Sequence, residues 1–226
     1  MRRLGRIIVV GGHSRGVGKT ALVEHLLRTS TATHVTAVKI SAHRHAPKGC
    51  PAPVIEEAFD ASPFDQTGRY LSAGAERAWL CRCPTARLAE AAAFVGRLRA
   101  DGWDVIVESN RIVEHLAPDL LFFVISGQVH DWKASSGCCL RRADAVVLSR
   151  GTLAVPSEAT RLAGPGLAWV PVFAFTAAWT VPGIGPWVRA ALAHPRPGER
   201  IANAAVVARH HCDGTGAPPS VQGTLG

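Results

Sequence analysis

Short aliphatic runs alternate along this chain with stretches of helical periodicity. Residues 7–10 (Ile-Ile-Val-Val) are uninterrupted and run into glycines, the pattern of a strand buried on both faces. Residues 20–28 follow with Ala21, Leu22, Leu26 and Leu27 at helical spacing, and residues 35–40 form a second β-branched run. Residues 41–63 hold prolines and few periodic apolar positions and are expected to be one long, functional loop. Beyond it the pattern predicts a helix over 65–75, a short strand over 77–81 and an alanine-rich helix over 85–100, stopped at Asp101-Gly102. Strands are predicted at 105–107, 120–125 and 145–148, a helix at 131–142, a weaker strand at 167–175 and helices at 186–193 and 199–210. No internal repeat is visible. Buried strands alternating with helices predict an α/β fold: a mostly parallel sheet, helices on both faces and a helical C-terminal extension. The expected organisation is one domain over 1–198, a helix over 199–212 and a disordered tail over 213–226, which is rich in Gly, Pro, Ser and Thr.

Composition narrows the picture. At 226 residues the chain is one domain long, and its 47% hydrophobic content is enough for a real core. No uncharged apolar run approaches the roughly 18 residues of a membrane span. The apolar run 7–10 is too short for a secretory leader, so the chain reads as cytoplasmic and its six cysteines as thiols or metal ligands. A net charge of +8 favours anionic partners. The arginines are scattered, with no basic stripe interleaved with aromatics, so nucleic acid is not the expected partner.

The chemistry concentrates after the first strand, in Gly12-His13-Ser14-Arg15-Gly16-Val17-Gly18-Lys19-Thr20. Glycines let a backbone fold its N–H groups into a nest around phosphate oxygens. Lys19 would reach the β and γ phosphates, and the Thr20 hydroxyl would bind Mg²⁺. The run misses G-x4-G-K-[ST] by one place: the first glycine would fall on His13, so the loop is one residue longer. Glu108 ends the strand predicted at 105–107, where a carboxylate can hold Mg²⁺ or position water, with Asn110 and Arg111 close by. Lys39 ends the second strand, where it can steady an anion. His43, His45, Cys50, Cys81 and Cys83 are a chemically legitimate zinc set, although their spacing is not that of a zinc finger. Cys138 and Cys139 are expected to be packing residues.

The phosphate loop resembles that of dethiobiotin synthetase and the cobyrinate-type amide synthases. A longer series is similar to the molybdopterin-guanine dinucleotide biosynthesis adapter family. It runs from the loop through Val38-Lys39, His43, His45, Arg69, Ala73-Gly74-Ala75 and Val107-Glu108 to Ala143–Leu148. That resemblance implies a P-loop fold, a GTP-binding homodimer acting late in molybdenum cofactor assembly, and a molybdopterin-type second ligand near Lys39, His43, His45 and Arg69. The chain departs from the family pattern in its longer loop, in Gln66 where an aspartate is usual, and in Ser149-Arg150 where guanine-reading relatives carry Asn-Lys. ATP and GTP are therefore expected to bind comparably. The ligase-type loop implies an alternative, ATP-dependent carboxylate activation. The histidines and cysteines imply another, nucleotide-dependent metal handling.

Overall fold

The computed structural model describes residues 4–41 and 53–194. The first half runs β1 (Ile7–Gly12), α1 (Lys19–Thr29), β2 (Val35–Ser41), β3 (Val54–Ala58), α2 (Gln66–Ser72), β4 (Arg77–Arg82), α3 (Leu88–Ala100) and β5 (Asp104–Glu108). The second half runs β6 (Leu120–Ile125), α4 (Ser136–Arg141), β7 (Ala145–Leu148), α5 (Ser157–Ala163), β8 (Val172–Ala174) and α6 (Ile184–Ala193). The strands form one sheet in the order β3-β4-β2-β5-β1-β6-β7-β8. Every neighbouring pair is parallel except β3 with β4.

Strand alternation divides the core in two. On one face Ile7, Val9, Val38, Val107, Phe123 and Val146 pack with α3, α4 and α5. On the other, Val10, Ala37, Ile106, Phe122 and Val147 pack with α1, α2 and α6. β6 lies beside β1 at the sheet's centre and is buried along its whole length. Truncating either of its phenylalanines to alanine would cost about 3–5 kcal/mol. α3 buries Leu88, Ala91, Ala92, Val95 and Leu98, the stripe a helix needs to sit on a sheet, and Gly102 turns the chain out of it at φ 95°. Asp65 starts α2 by accepting the Gly68 N–H at 2.7 Å.

Three sequence expectations need correcting. The stretch 41–63 is not all loop: Val54–Ala58 adds an antiparallel edge strand. Its glutamates pair across the ladder, Glu57 with Arg77 and Glu56 with Arg82, so charge hides a strand that apolar pattern alone would miss. The helix expected at 131–142 is only α4, and residues 131–135 turn back toward β1 instead. The strand expected at 167–175 is split into a 3₁₀ turn, Pro165–Trp169, and the short β8. His43, His45, Cys50 and everything from residue 195 onward lie outside the described residues. No helix among the described residues is long and apolar enough to cross a membrane. The architecture is the α/β arrangement expected from the pattern, a mostly parallel sheet with helices on both faces, and the glycine-rich loop joins β1 to α1.

Candidate functional site

β1 lies between β5 and β6, while the chain leaves it for β2 on one side and later returns to β6 on the other. Open parallel sheets bind ligands at such a reversal, beyond the carboxyl ends of the strands. A cleft of about 1030 Å³ opens there, over the phosphate loop and the ends of β2 and β5. Seven lysines and arginines line it (Arg15, Lys19, Arg28, Lys39, Arg69, Arg111 and Lys133) against two glutamates, Glu24 and Glu108. The cleft therefore carries an excess of positive charge, a field that attracts anions.

The loop's shape is set by close approach. A Cβ on Gly12 would lie 2.9 Å from the Val124 carbonyl oxygen and 2.9 Å from Val17 Cγ2, so no side chain fits. Gly18, at φ 102°, turns the chain into the first turn of α1. Val17 is fully buried and anchors the loop, whereas Arg15 and Gly16 stand at its exposed rim. Asn110, just past β5, accepts from the Gly12 N–H at 2.8 Å and donates to the Gly12 carbonyl at 2.6 Å. It therefore holds the base of the loop by both backbone groups.

The residue that lengthens the loop, His13, is fully buried. Its Nε2 pairs with the Val129 carbonyl at 2.8 Å, and its ring packs on Trp132 at 4.5 Å. Burial lowers its pKa. Its carbonyl accepts from the Lys133 N–H and the Ser136 hydroxyl, and Ser14 donates to Asp131 at 3.1 Å. The segment after β6 is thereby tied to the loop and brings Lys133 into the cleft.

Lys19 folds over the loop and donates to the Ser14 carbonyl. Burial, reinforced by Lys133 and Lys39 and opposed by Glu108, brings its pKa down to about 8. The Thr20 hydroxyl donates to Glu108 at 2.8 Å and accepts from Gln66 at 3.3 Å. Glu108 is nearly buried. It also accepts from Tyr70, whose hydroxyl is wholly buried, and from Lys39. Burial pushes the Glu108 carboxyl up, but the Lys39 charge and three hydrogen bonds together hold it below its ordinary value. A hydroxyl and a carboxylate side by side are the hard oxygen donors that Mg²⁺ takes.

Among the other residues singled out from sequence, Lys39 thus meets Glu108, and Arg69 pairs with Glu24 at 2.5 Å on the cleft wall. Cys81 and Cys83 lie together in the core beside α3, and burial pushes the Cys81 thiol to about 12. Among the described residues no group of three or more His, Cys, Asp or Glu could hold a metal ion. Tyr70, Lys133 and Trp179 also belong to the site, and sequence reasoning did not single them out. Lys133 was hidden inside an expected helix, and Tyr70 reads as an ordinary core position.

No family model and no curated protein matches the chain. Among solved structures it is similar to a LAO/AO transport system kinase, with TM-score 0.47 and 15% identity over 92% of this chain. The chain spans 63% of that protein's length. It is also similar to a ParA family ATPase from Chlorobium tepidum TLS, with TM-score 0.41 and 13% identity over 91% of this chain and 93% of that one.

Proposed function

We propose that this chain binds a nucleoside triphosphate with Mg²⁺ and hydrolyses it slowly, as an accessory protein in molybdopterin-guanine dinucleotide assembly. The observation that carries the first part is the arrangement of Gly12–Thr20. The glycine-rich loop opens the half-buried start of α1, Lys19 bends over it, and the Thr20 hydroxyl rests against Glu108. Backbone N–H groups and the lysine would take the β and γ phosphates. Thr20 and Glu108 would hold the ion, which when bound supplies charge neutralisation to the triphosphate. Glu108 is already held ionised, so no proton needs to leave before it acts.

The accessory role rests on the collinear series of short motifs around the loop. The cleft's cationic flank gives it physical support, since Lys39, Arg28 and Arg69 line the cleft, each set against a glutamate with which an incoming anion would compete. A second anionic ligand of molybdopterin type would sit there. The same flank favours one other reading, a ligase that spends ATP to activate a carboxylate. The two differ in turnover: a ligase releases ADP when its carboxylate is added, whereas the accessory protein turns over slowly throughout.

The test is Lys19→Ala with ATP and GTP in Mg²⁺ buffer, followed by calorimetry. Removing the charge that faces the phosphates is expected to weaken binding at least about tenfold, or 1.4 kcal/mol. A folded Lys19→Ala protein that binds either nucleotide as the wild type does would overturn the phosphate-site reading.

A further inference from the structure

The two flanks of the cleft differ in chemistry. Toward β2 it is ionic, with Lys39, Arg28, Arg69 and their glutamates. Toward β8 it is aromatic. There the turn after β8 is pinned closed: Thr176 N–H donates to the Thr180 carbonyl at 2.8 Å, and Trp179 N–H to the Thr176 carbonyl at 3.1 Å. The Val181 N–H is tied to His25 of α1 at 3.3 Å, so the turn is fixed to the helix that the phosphate loop opens.

That turn holds Trp179 at φ 57°, the one non-glycine residue with positive φ among the described residues. A bulky side chain is rarely held in the left-handed region, and residues held there concentrate at ligand sites. Trp179 is 42% exposed and lines the cleft beside Gly18 and Ala21. Its ring carbon Cζ3 would be 3.7 Å from a Cβ on Gly18. Phe175 supports it edge-on at 5.4 Å, and the Arg150 guanidinium lies 6.0 Å from its centroid.

We infer that Trp179, backed by Phe175 and flanked by Arg150, is the stacking platform for the base of the nucleotide whose phosphates the loop takes. This rests on the phosphate-site reading and extends it to the base. A triphosphate seated on Gly12–Thr20 must send its nucleoside to one flank. The β2 flank is lined by charged side chains, the chemistry of a second anion, while the β8 flank presents an aromatic face with a cation near it. Stacking is indifferent to which base is bound, because every base has a π-face. The platform therefore accepts adenine and guanine alike.

The experiment measures ATP, GTP and inorganic tripolyphosphate binding to the wild type, Trp179→Ala and Trp179→Phe by calorimetry. Trp179→Ala is expected to weaken ATP and GTP by the same factor, about tenfold, and to leave tripolyphosphate unchanged. Trp179→Phe keeps a ring and is expected to restore most of the loss. Equal losses for tripolyphosphate and nucleotides, or nucleotide affinity unchanged in Trp179→Ala, would overturn the platform. Wild-type protein that binds tripolyphosphate as tightly as ATP would also overturn it while leaving the phosphate site intact. Failure of the wild type to bind any of the three would overturn both.

Discussion

Replacing Lys39 by methionine tests the electrostatics of the site most directly. Methionine keeps the aliphatic stem and removes the charge. The Lys39 side chain is 17% exposed and Glu108 5%, so the pair is poorly screened by water. Breaking a buried pair by deleting one partner costs about 3–5 kcal/mol, because the other charge is left uncompensated. Glu108 keeps its hydrogen bonds from Thr20 and Tyr70, which places the expected loss at the low end, about 3 kcal/mol near pH 7.5.

The pH dependence supplies a second, sharper readout. In the wild type Glu108 is held below its ordinary 4.5, so its contribution is complete above that value and is lost as pH falls through the lowered one. In Lys39→Met the strongest influence on Glu108 is burial, unopposed by the lysine, and the carboxyl rises above its ordinary value. Its ionised form then destabilises the fold, and protonation relieves it. Urea unfolding should show the variant's deficit shrinking as pH is lowered from about 7.5 to about 5, with no such gain in the wild type. Adding Glu108→Gln should repair most of the loss at neutral pH. A deficit under about 1 kcal/mol, or one that neither shrinks with acid nor is repaired by Glu108→Gln, would refute the buried-pair argument.

Asn110→Ala leaves the Gly12 N–H and carbonyl without their partner and should cost about 2–3 kcal/mol in urea unfolding; a change within about 0.5 kcal/mol would mean that water replaces the clamp. Lys19 titrates near 8 in the free protein, and bound phosphate favours its charged form. Triphosphate affinity measured across this range should therefore fall as pH rises through about 8, and a flat profile would show that Lys19 does not face the phosphates.

The sequence made the central sheet legible because its strands are buried on both faces, and such strands read as solid apolar runs. β1, β6 and β7 were visible for that reason, and the helix that follows β1 was visible from its leucines. β3 was not, because it is an edge strand whose ladder partners are charged. β8 was blurred by the exposed Val172 and by the 3₁₀ turn before it. The residues with a motif spacing, Gly12, Gly18, Lys19 and Thr20, could be named in advance. Tyr70 could not, since nothing local marks a tyrosine whose hydroxyl crosses the core to a carboxylate 38 positions away. Trp179 is equally mute in sequence: its placement depends on a turn closed by Thr176 and Thr180 and on His25 of α1.

His13 shows how one departure from a motif can be structural in origin. In the strict spacing its place would hold the first glycine of the loop. Here the glycine moves back to Gly12, where Val124 and Val17 leave no room for a side chain. The added residue then has to go somewhere, and it goes inward, packed against Trp132 and bonded to Val129. Its backbone carbonyl collects Lys133 and Ser136. Lengthening the loop by one residue thus couples it to the segment after β6, and that segment delivers Lys133 to the cleft. A strict-spacing loop would lack this inward-pointing ring and with it the ring's hold on Val129 and Trp132, which lie in the segment that carries Lys133. The deviation that made the motif look weaker in sequence adds, in the folded chain, to the contacts that hold the segment carrying Lys133 against the loop.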